Sequence, residues 1–185
     1  DTLWKQLRSN ERAFKKLPVS VADITLRDGT QCPGASVSPR EGLEIARQSE
    51  RLGVAVIEAG FPVSSKGNFE TVYTIAQEIQ KPIICALARC RAEDIDSAGA
   101  AVKPAASRGR IHVFLATSKI HRDAKFKGKA ESEILRLAVD GVKHAKTLAQ
   151  DVQFSPEDAT RTRPEFLEEI CRAVLDAGAN FFNIP

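Results

Sequence analysis

The stretch that decides the fold is 38–59, SPREGLEIARQSERLGVAVIEA, in which a helix pattern leads directly into a strand pattern. Ser38, the proline after it and Glu41 combine an N-cap, a first-turn proline and a capping box. Apolar residues at helical spacing follow, and Gly53 is typical of the position just after a helix. The run Val54–Ala59 is short, apolar and β-branched, as in a strand covered on both faces. The stretch therefore predicts one helix followed by one strand.

The same unit recurs along the chain. The candidate strands are Val21–Leu26, Val54–Ala59, Pro82–Leu87, Ile111–Thr117, Asp151–Ser155 and Asn180–Pro185. Their starts are about 30 to 40 residues apart, which predicts parallel strands joined by crossover helices. Further helix patterns are Phe69–Ile79 with Asn68 as its cap, Glu131–Gln150, and Phe166–Ala177.

Three other segments complete the prediction. Asp1–Leu17 has an amphipathic pattern, so residues 1–20 are expected to be an N-terminal helical leader that precedes the repeating units of residues 21–185. Lys103–Arg110 and Lys119–Lys129 are predicted to be loops. The second is basic, which favours a solvated loop over a contact with the phosphate groups of a ligand.

Spacing alone does not distinguish a doubly wound sheet from a barrel. A Rossmann-type sheet favours GxGxxG after its first strand, whereas residues 27–31 here are RDGTQ. A (β/α)8 barrel needs eight units in about 250 residues. About six strands and five crossover helices are predicted, so the expected fold is an α/β, partial (β/α)8 TIM barrel that lacks its last units.

Composition narrows the function classes. Lys and Arg number 27 against 24 Asp and Glu, for a formal net charge of +3, and this small excess does not favour a nucleic-acid partner. The apolar runs are much shorter than the ~20 residues of a membrane helix, so no membrane partner is expected. The four cysteines show no CxxC spacing. A reducing compartment is therefore expected, namely the cytoplasm, or the matrix of a plastid or other organelle if the source is eukaryotic.

Polar residues stand where the predicted strands end, which is where ligands bind in either parallel architecture. They are Arg27 and Asp28 after the first strand, Glu58 in the second, His112 in the fourth, Ser155 and Glu157 in the fifth, and Asn183 in the sixth. Taken singly, each also fits an ordinary structural role, such as an ion pair, a core histidine or a helix cap. No single residue decides between these interpretations.

Five motifs in a fixed order carry a resemblance. They are Asp23–Gln31, Ile57–Pro62, Ile111–Ser118, Val152–Ala159 and Phe182–Pro185. Together they resemble the metal-dependent Claisen-type acyl-CoA condensing enzymes and lyases, a TIM-barrel family. Within it they are most similar to the 2-isopropylmalate synthases, with the methylthioalkylmalate, citramalate and homocitrate synthases as close alternatives.

The resemblance implies a reaction. Acetyl-CoA, deprotonated at its methyl group, adds to the ketone of 2-oxoisovalerate, and thioester hydrolysis gives 2-isopropylmalate and CoA in leucine biosynthesis. A divalent cation (Mg²⁺, Mn²⁺ or Zn²⁺) would bind the 2-oxo acid and polarise its ketone. The expected partners are therefore small molecules, together with a second subunit in a homodimer of the full-length protein.

The resemblance also implies roles for individual residues. Arg27 matches a catalytic arginine facing the developing oxyanion, Asp28 matches a metal ligand, and Glu157 matches a catalytic glutamate whose role as base or orienting group stays open. The positions matched to substrate binding are Arg27, Gln31, Glu58, Leu87, His112, Ser155, Asn183 and Pro185.

Two departures from the family pattern bear on activity. Ile24 and Thr30 replace a usual Thr and Glu. The family's HxH metal ligands and a further Asn ligand lie beyond the sixth strand, and His112-Val113-Phe114 does not substitute for them. We therefore expect residues 21–185 to be a partial catalytic TIM barrel, a fragment whose activity belongs to the full-length protein. A non-catalytic remnant and a lyase stay open as alternatives, although the segment FSPED at 154–158 favours the synthases.

Overall fold

A computed structural model describes residues 19–185, and the predicted leader helix Asp1–Leu17 lies outside them. The strands are β1 Ala22–Asp23, β2 Val56–Gly60, β3 Ile83–Arg89, β4 Gly109–Ala116, β5 Asp151–Glu157 and β6 Phe181–Phe182. The α-helices are α1 Pro39–Leu52, α2 Lys66–Glu78, α3 Ala92–Val102, α4 Lys119–Phe126, α5 Glu131–Leu148 and α6 Pro164–Asp176. No helix within residues 19–185 combines the length and the apolar character needed to cross a bilayer.

The strands form one sheet in the order β1-β2-β3-β4-β5-β6, and every neighbouring pair is parallel. A doubly wound sheet would reverse its strand order at a switch point. Sequential parallel strands with helices between them are the arrangement of a (β/α)8 barrel. The described residues therefore form a partial (β/α)8 barrel, and the predicted fold class is confirmed.

The two faces of the sheet differ, as β4 illustrates: one packs against the helices and the other faces the barrel interior. Ile111 and Val113 belong to the buried apolar cluster, together with Val142 of α5. Side chains alternate across a strand, so His112 and Phe114 point to the other face, toward the barrel interior. The helices cover the outer face of the sheet, and the inner face is left to carry polar groups.

The helix that opened the sequence argument forms as predicted. The Ser38 side chain accepts a hydrogen bond from the Glu41 backbone N–H, and the Glu41 carboxylate accepts one from the Ser38 backbone N–H at 2.9 Å. Gly53 ends α1 in the left-handed region, with φ 83°. Each of these interactions spans a few residues, so the local sequence is sufficient to specify them.

The segment Lys119–Lys129 was predicted to be a loop, and that prediction is wrong. Lys119–Phe126 is helix α4, which begins after Ser118, whose side chain accepts from the His121 backbone N–H. The helix ends at Lys127, a left-handed residue with φ 52°. Its charged composition hides the apolar period on which the prediction relied. As a result α4 and α5 both lie between β4 and β5, and six α-helices replace the five predicted.

Several element ends also differ from the prediction. The first strand is shortened to β1, because the backbone N–H groups of Arg27 and Asp28 both turn back to the Ile24 carbonyl. Helix α2 begins one turn earlier than predicted, with Ser65 rather than Asn68 as its N-cap. The predicted loop Lys103–Arg110 contains a 3₁₀ helix at Lys103–Arg108 and then the first residues of β4, and the last strand is reduced to β6.

We expect the 185-residue chain to self-associate when studied alone. Among the described residues β1 and β6 each pair on one side only. Exposed apolar side chains lie beside them at Val19, Val21, Ile24, Phe181 and Ile184. Unpaired strand edges with apolar neighbours favour association. Sedimentation over a concentration series tests this, and a monomer that unfolds cooperatively at high concentration would contradict it.

Candidate active site

A cavity of about 270 Å³ lies where the carboxyl ends of the strands meet. Eight of the ten predicted site residues line it: Arg27, Gln31, Leu87, His112, Ser155, Glu157, Asn183 and Pro185. Phe114 and Asp158 line it as well, although neither was predicted to be a site residue. Both could have been found from their places in the chain, since Phe114 shares the inward face of β4 with His112 and Asp158 directly follows Glu157.

Register places these side chains beside one another. In the β3–β4 pair Leu87 lies opposite His112, and in the β4–β5 pair Phe114 lies opposite Ser155. Asn183 follows β6, and its backbone N–H donates to the Phe154 carbonyl at 2.9 Å. Residues that are widely separated in the chain therefore share one wall of the cavity.

Glu58 does not line the cavity. Its residue is 4% exposed and lies between two lining residues. One carboxylate oxygen accepts from Arg27 Nε at 2.7 Å, and the other contacts His112 Nδ1 at 2.5 Å. Burial alone would raise the pKa of Glu58, but the hydrogen bond with His112 and the charge of Arg27 outweigh it and hold the pKa below its usual value.

A chain of hydrogen bonds continues from His112 to the cavity wall. His112 Nε2 lies 2.6 Å from Ser155 Oγ, and Asn183 Nδ2 donates to the same oxygen at 2.8 Å. Arg27, which donates to the other oxygen of Glu58, also donates from Nη1 to Asp28 Oδ1 at 2.8 Å. One buried carboxylate thus connects two parts of the cavity wall.

Glu157 has a partner that the sequence did not indicate. Lys125 Nζ of α4 donates to both carboxylate oxygens, at 2.7 and 2.8 Å. The next residue, Asp158, has φ 64°, a left-handed conformation that few non-glycine residues adopt. Its side chain bonds His121 Nδ1 at 3.0 Å and Arg161 Nε at 2.7 Å. The helix predicted to be a loop therefore contributes to this end of the cavity.

A family profile described as HMGL-like matches residues 18–185. The chain belongs to the HMGL-like family. This confirms at the family level the resemblance that the five motifs carry.

Several curated relatives of this HMGL-like chain share one name. 2-Isopropylmalate synthase of Methylacidiphilum infernorum is 59% identical over 89% of this chain, that of Clostridium kluyveri is 52% identical over 90%, and that of Pyrococcus furiosus is 50% identical over 90%. The matched region is 32% of the first two relatives and 33% of the third, so the chain spans about a third of their length.

A solved structure supports the fold of this HMGL-like chain. It is described as "QR15, an Aldolase", and it aligns with a TM-score of 0.55 over 92% of this chain and 66% of its own. The sequences are 14% identical, so the likeness concerns the fold alone.

The HMGL-like family is metal-dependent, and Asp28 is the predicted ligand. Its side chain is 56% exposed, and carboxylate oxygens are ligands that hard divalent cations prefer. Within residues 19–185 Asp28 belongs to no group of three candidate ligands. It therefore fits a metal as a single protein ligand, without a complete ligand set in the described part of the chain.

The one such group within residues 19–185 is Glu58, Cys85 and His112, whose ligand atoms lie within 4.8 Å of one another. Their donor atoms are already committed. Glu58 and His112 bond each other, Arg27 holds the second carboxylate oxygen, and burial raises the pKa of the Cys85 thiol well above its usual value. This group fits a hydrogen-bonded core better than a metal centre.

The 185-residue chain is accordingly expected to bind Mn²⁺ or Zn²⁺ weakly, because one exposed carboxylate cannot hold a divalent ion well. Titration calorimetry of the wild type, Asp28→Ala and Cys85→Ser measures this. Tight stoichiometric binding lost in Asp28→Ala would reveal further ligands beside Asp28. Tight binding lost in Cys85→Ser would instead assign the metal to the buried group.

Proposed function

We propose that this chain forms the 2-oxo-acid-binding part of a 2-isopropylmalate synthase. The full-length protein would condense acetyl-CoA with 2-oxoisovalerate and hydrolyse the thioester to 2-isopropylmalate and CoA. The observation that carries the proposal is that Arg27, His112, Ser155 and Asn183 line one cavity at the strand ends, in a chain at least 50% identical to curated synthases over about 90% of its length.

The lining suits a small branched 2-oxo acid. Arg27 is the one arginine or lysine among the described lining residues, so it matches the single carboxylate or the ketone oxygen of the substrate. Leu87, Phe114 and Pro185 supply apolar surface for an aliphatic side chain. A dicarboxylic substrate would need a second cation, and this favours 2-oxoisovalerate over 2-oxoglutarate.

The roles of the polar residues follow from what they can donate. Arg27 places a fixed cation beside the position where negative charge develops on the ketone oxygen, a contact that strengthens in the transition state. Asn183 and Gln31 can donate amide hydrogens to the substrate oxygens. A divalent cation held partly by Asp28 would supply Lewis-acid polarisation of the ketone. Glu157, paired with Lys125, lies at the cavity as an acid–base or orienting group.

The test is product formation by the full-length protein. It is incubated with acetyl-CoA, a divalent metal and separately 2-oxoisovalerate, pyruvate or 2-oxoglutarate, and free thiol and product mass are measured. Fastest turnover with 2-oxoisovalerate is expected. Preference for pyruvate would make it a citramalate synthase, and cleavage without condensation would make it a lyase. The absence of both turnover and oxo-acid binding would indicate a non-catalytic remnant.

The resemblance extends the proposal to assembly and compartment. The full-length protein is proposed to act as a homodimer in the cytoplasm or an organelle matrix. Sedimentation of the full-length protein and fractionation of the source cells test these two statements separately from the activity.

A further inference from the structure

The buried carboxylate of Glu58 bonds two lining residues while contacting the cavity with neither oxygen. Its partners are Arg27, 31 residues earlier, and His112, 54 residues later. A substrate-binding role, as predicted from the motif, requires contact with the cavity, and Glu58 is not among its lining residues. Its effect on the substrate must therefore pass through the residues it holds.

The directions of the hydrogen bonds identify the tautomer of His112. An ionised carboxylate only accepts hydrogen bonds, so His112 Nδ1 must donate to Glu58. In a neutral imidazole the other nitrogen is then an acceptor. The contact with Gln153 agrees, because its Nε2, an amide donor, lies 3.3 Å from His112 Nε2. The Ser155 hydroxyl lies 2.6 Å from the same nitrogen and can donate to it.

The tautomer in turn decides what Ser155 presents to a ligand. With His112 Nε2 as an acceptor, the Ser155 hydroxyl hydrogen is directed at the imidazole. Asn183 Nδ2 donates to the same hydroxyl oxygen, which leaves a lone pair for the cavity. Ser155 is thereby an acceptor at the wall, while Arg27 and Asn183 are donors.

We propose that Glu58 is a positioning residue that holds His112 as the Nδ1–H tautomer and so makes Ser155 a hydrogen-bond acceptor facing the ligand. The catalytic part of this inference rests on the proposed function. A 2-oxo acid carries only acceptors at its carboxylate and ketone, whereas condensation converts the ketone into a hydroxyl, which is a donor. An accepting Ser155 therefore suits the hydroxyl formed by the reaction rather than the ketone of the substrate.

The test variant is Glu58→Gln in the full-length protein. The amide keeps the size of the side chain but offers one acceptor and one donor. If its NH₂ group meets His112, the tautomer reverses and the Ser155 hydrogen turns toward the ligand. If the NH₂ group instead faces Arg27 Nε–H, two hydrogen-bond donors face each other with no acceptor between them. We expect kcat/KM to fall at least ~10²-fold, since a reversed histidine tautomer is costly to catalysis.

A double-mutant cycle separates positioning from a general structural role. Glu58 and Ser155 share no hydrogen bond and are connected through His112. If Glu58 acts through this connection, Ser155→Ala lowers kcat/KM much less in the Glu58→Gln background than in the wild type. Additive effects of the two variants would overturn the proposal.

A matched control uses Asp94, another buried carboxylate, which pairs with Arg89 through two hydrogen bonds at 2.6 and 3.0 Å. Asp94→Asn also removes a buried charge beside an arginine, and its thermal unfolding midpoint should fall as in Glu58→Gln. Its effect on kcat/KM is expected to be small and additive with Ser155→Ala. The same non-additivity in this control would assign the Glu58 effect to general destabilisation.

A spectroscopic readout is independent of activity. In ¹⁵N-histidine-labelled full-length protein, the His112 signal is assigned by its loss in His112→Gln. Long-range ¹H–¹⁵N correlations should show Nδ1 protonated and Nε2 unprotonated. An Nε2–H tautomer in the wild type overturns the proposal even if Glu58→Gln does not fold. Nδ1–H in a protein that lacks condensation activity would refute the proposed function while leaving the tautomer assignment intact.

Discussion

Arg27→Lys in the full-length protein is expected to lower turnover about 10²–10³-fold, the loss typical of removing one donor to a developing oxyanion. Lysine keeps the positive charge but loses the planar fork. In the structure that fork holds Glu58 with Nε and Asp28 with Nη1, at 2.7 and 2.8 Å. A single ammonium cannot reproduce both contacts and also face the ligand in the same geometry.

Steady-state kinetics with acetyl-CoA and 2-oxoisovalerate measure this effect. A large fall in kcat with a smaller change in the KM for the 2-oxo acid is expected, because the contact strengthens as charge develops. Arg89→Lys is the matched control, since Arg89 also lies at the carboxyl end of a barrel strand and pairs with a buried carboxylate, that of Asp94. Near-wild-type turnover in Arg27→Lys would reduce Arg27 to a structural ion-pair partner.

Phe166→Ala is expected to lower the free energy of unfolding by about 3–5 kcal/mol, the usual cost of removing a buried aromatic ring. Phe166 is fully buried in α6, and the guanidinium of Arg122 from α4 lies 5.9 Å from its ring centre. The ring therefore contributes both to the apolar core and to the contact between α4 and α6. Loss of the ring leaves a cavity that its neighbours fill only in part.

Denaturant unfolding of the full-length protein measures the change, provided that the transition of this domain is resolved. Leu175→Ala is the control in the same helix, since Leu175 is 43% exposed and its loss should change the unfolding free energy by well under about 1 kcal/mol. Equal destabilisation by the two variants would show that the burial of α6 in solution differs from the structure.

Local interactions account for the parts of the fold that were predictable. The capping box of Ser38 and Glu41 and the left-handed Gly53 involve neighbours in the chain, so short-range patterns identify helix α1. Continuous apolar runs identified the buried strands for the same reason. Helix α4 was missed because its charged residues hide the apolar period, although Ser118 caps it locally. Its contact between Lys125 and Glu157, 32 residues away, is visible only in the tertiary structure.

The candidate site also has a part that the sequence predicts and a part that only the structure shows. Its members at the strand ends were predicted from motif order, and eight of the ten line the cavity. The motif did not indicate that Glu58 lies behind Arg27 and His112, nor that Asp28 is mostly exposed rather than part of the cavity lining. Those placements depend on which side chains the strand register brings together.

By itself the sequence determined the order of strands and helices, the parallel fold class and the residue types at the strand ends, because periodicity, caps and turns act over a few residues. Tertiary structure alone decided the hydrogen-bonded chain from Arg27 through Glu58, His112 and Ser155 to Asn183. Its links join residues 28 to 54 positions apart. Interactions of that span form only when the curvature and register of the sheet set the distances between strands.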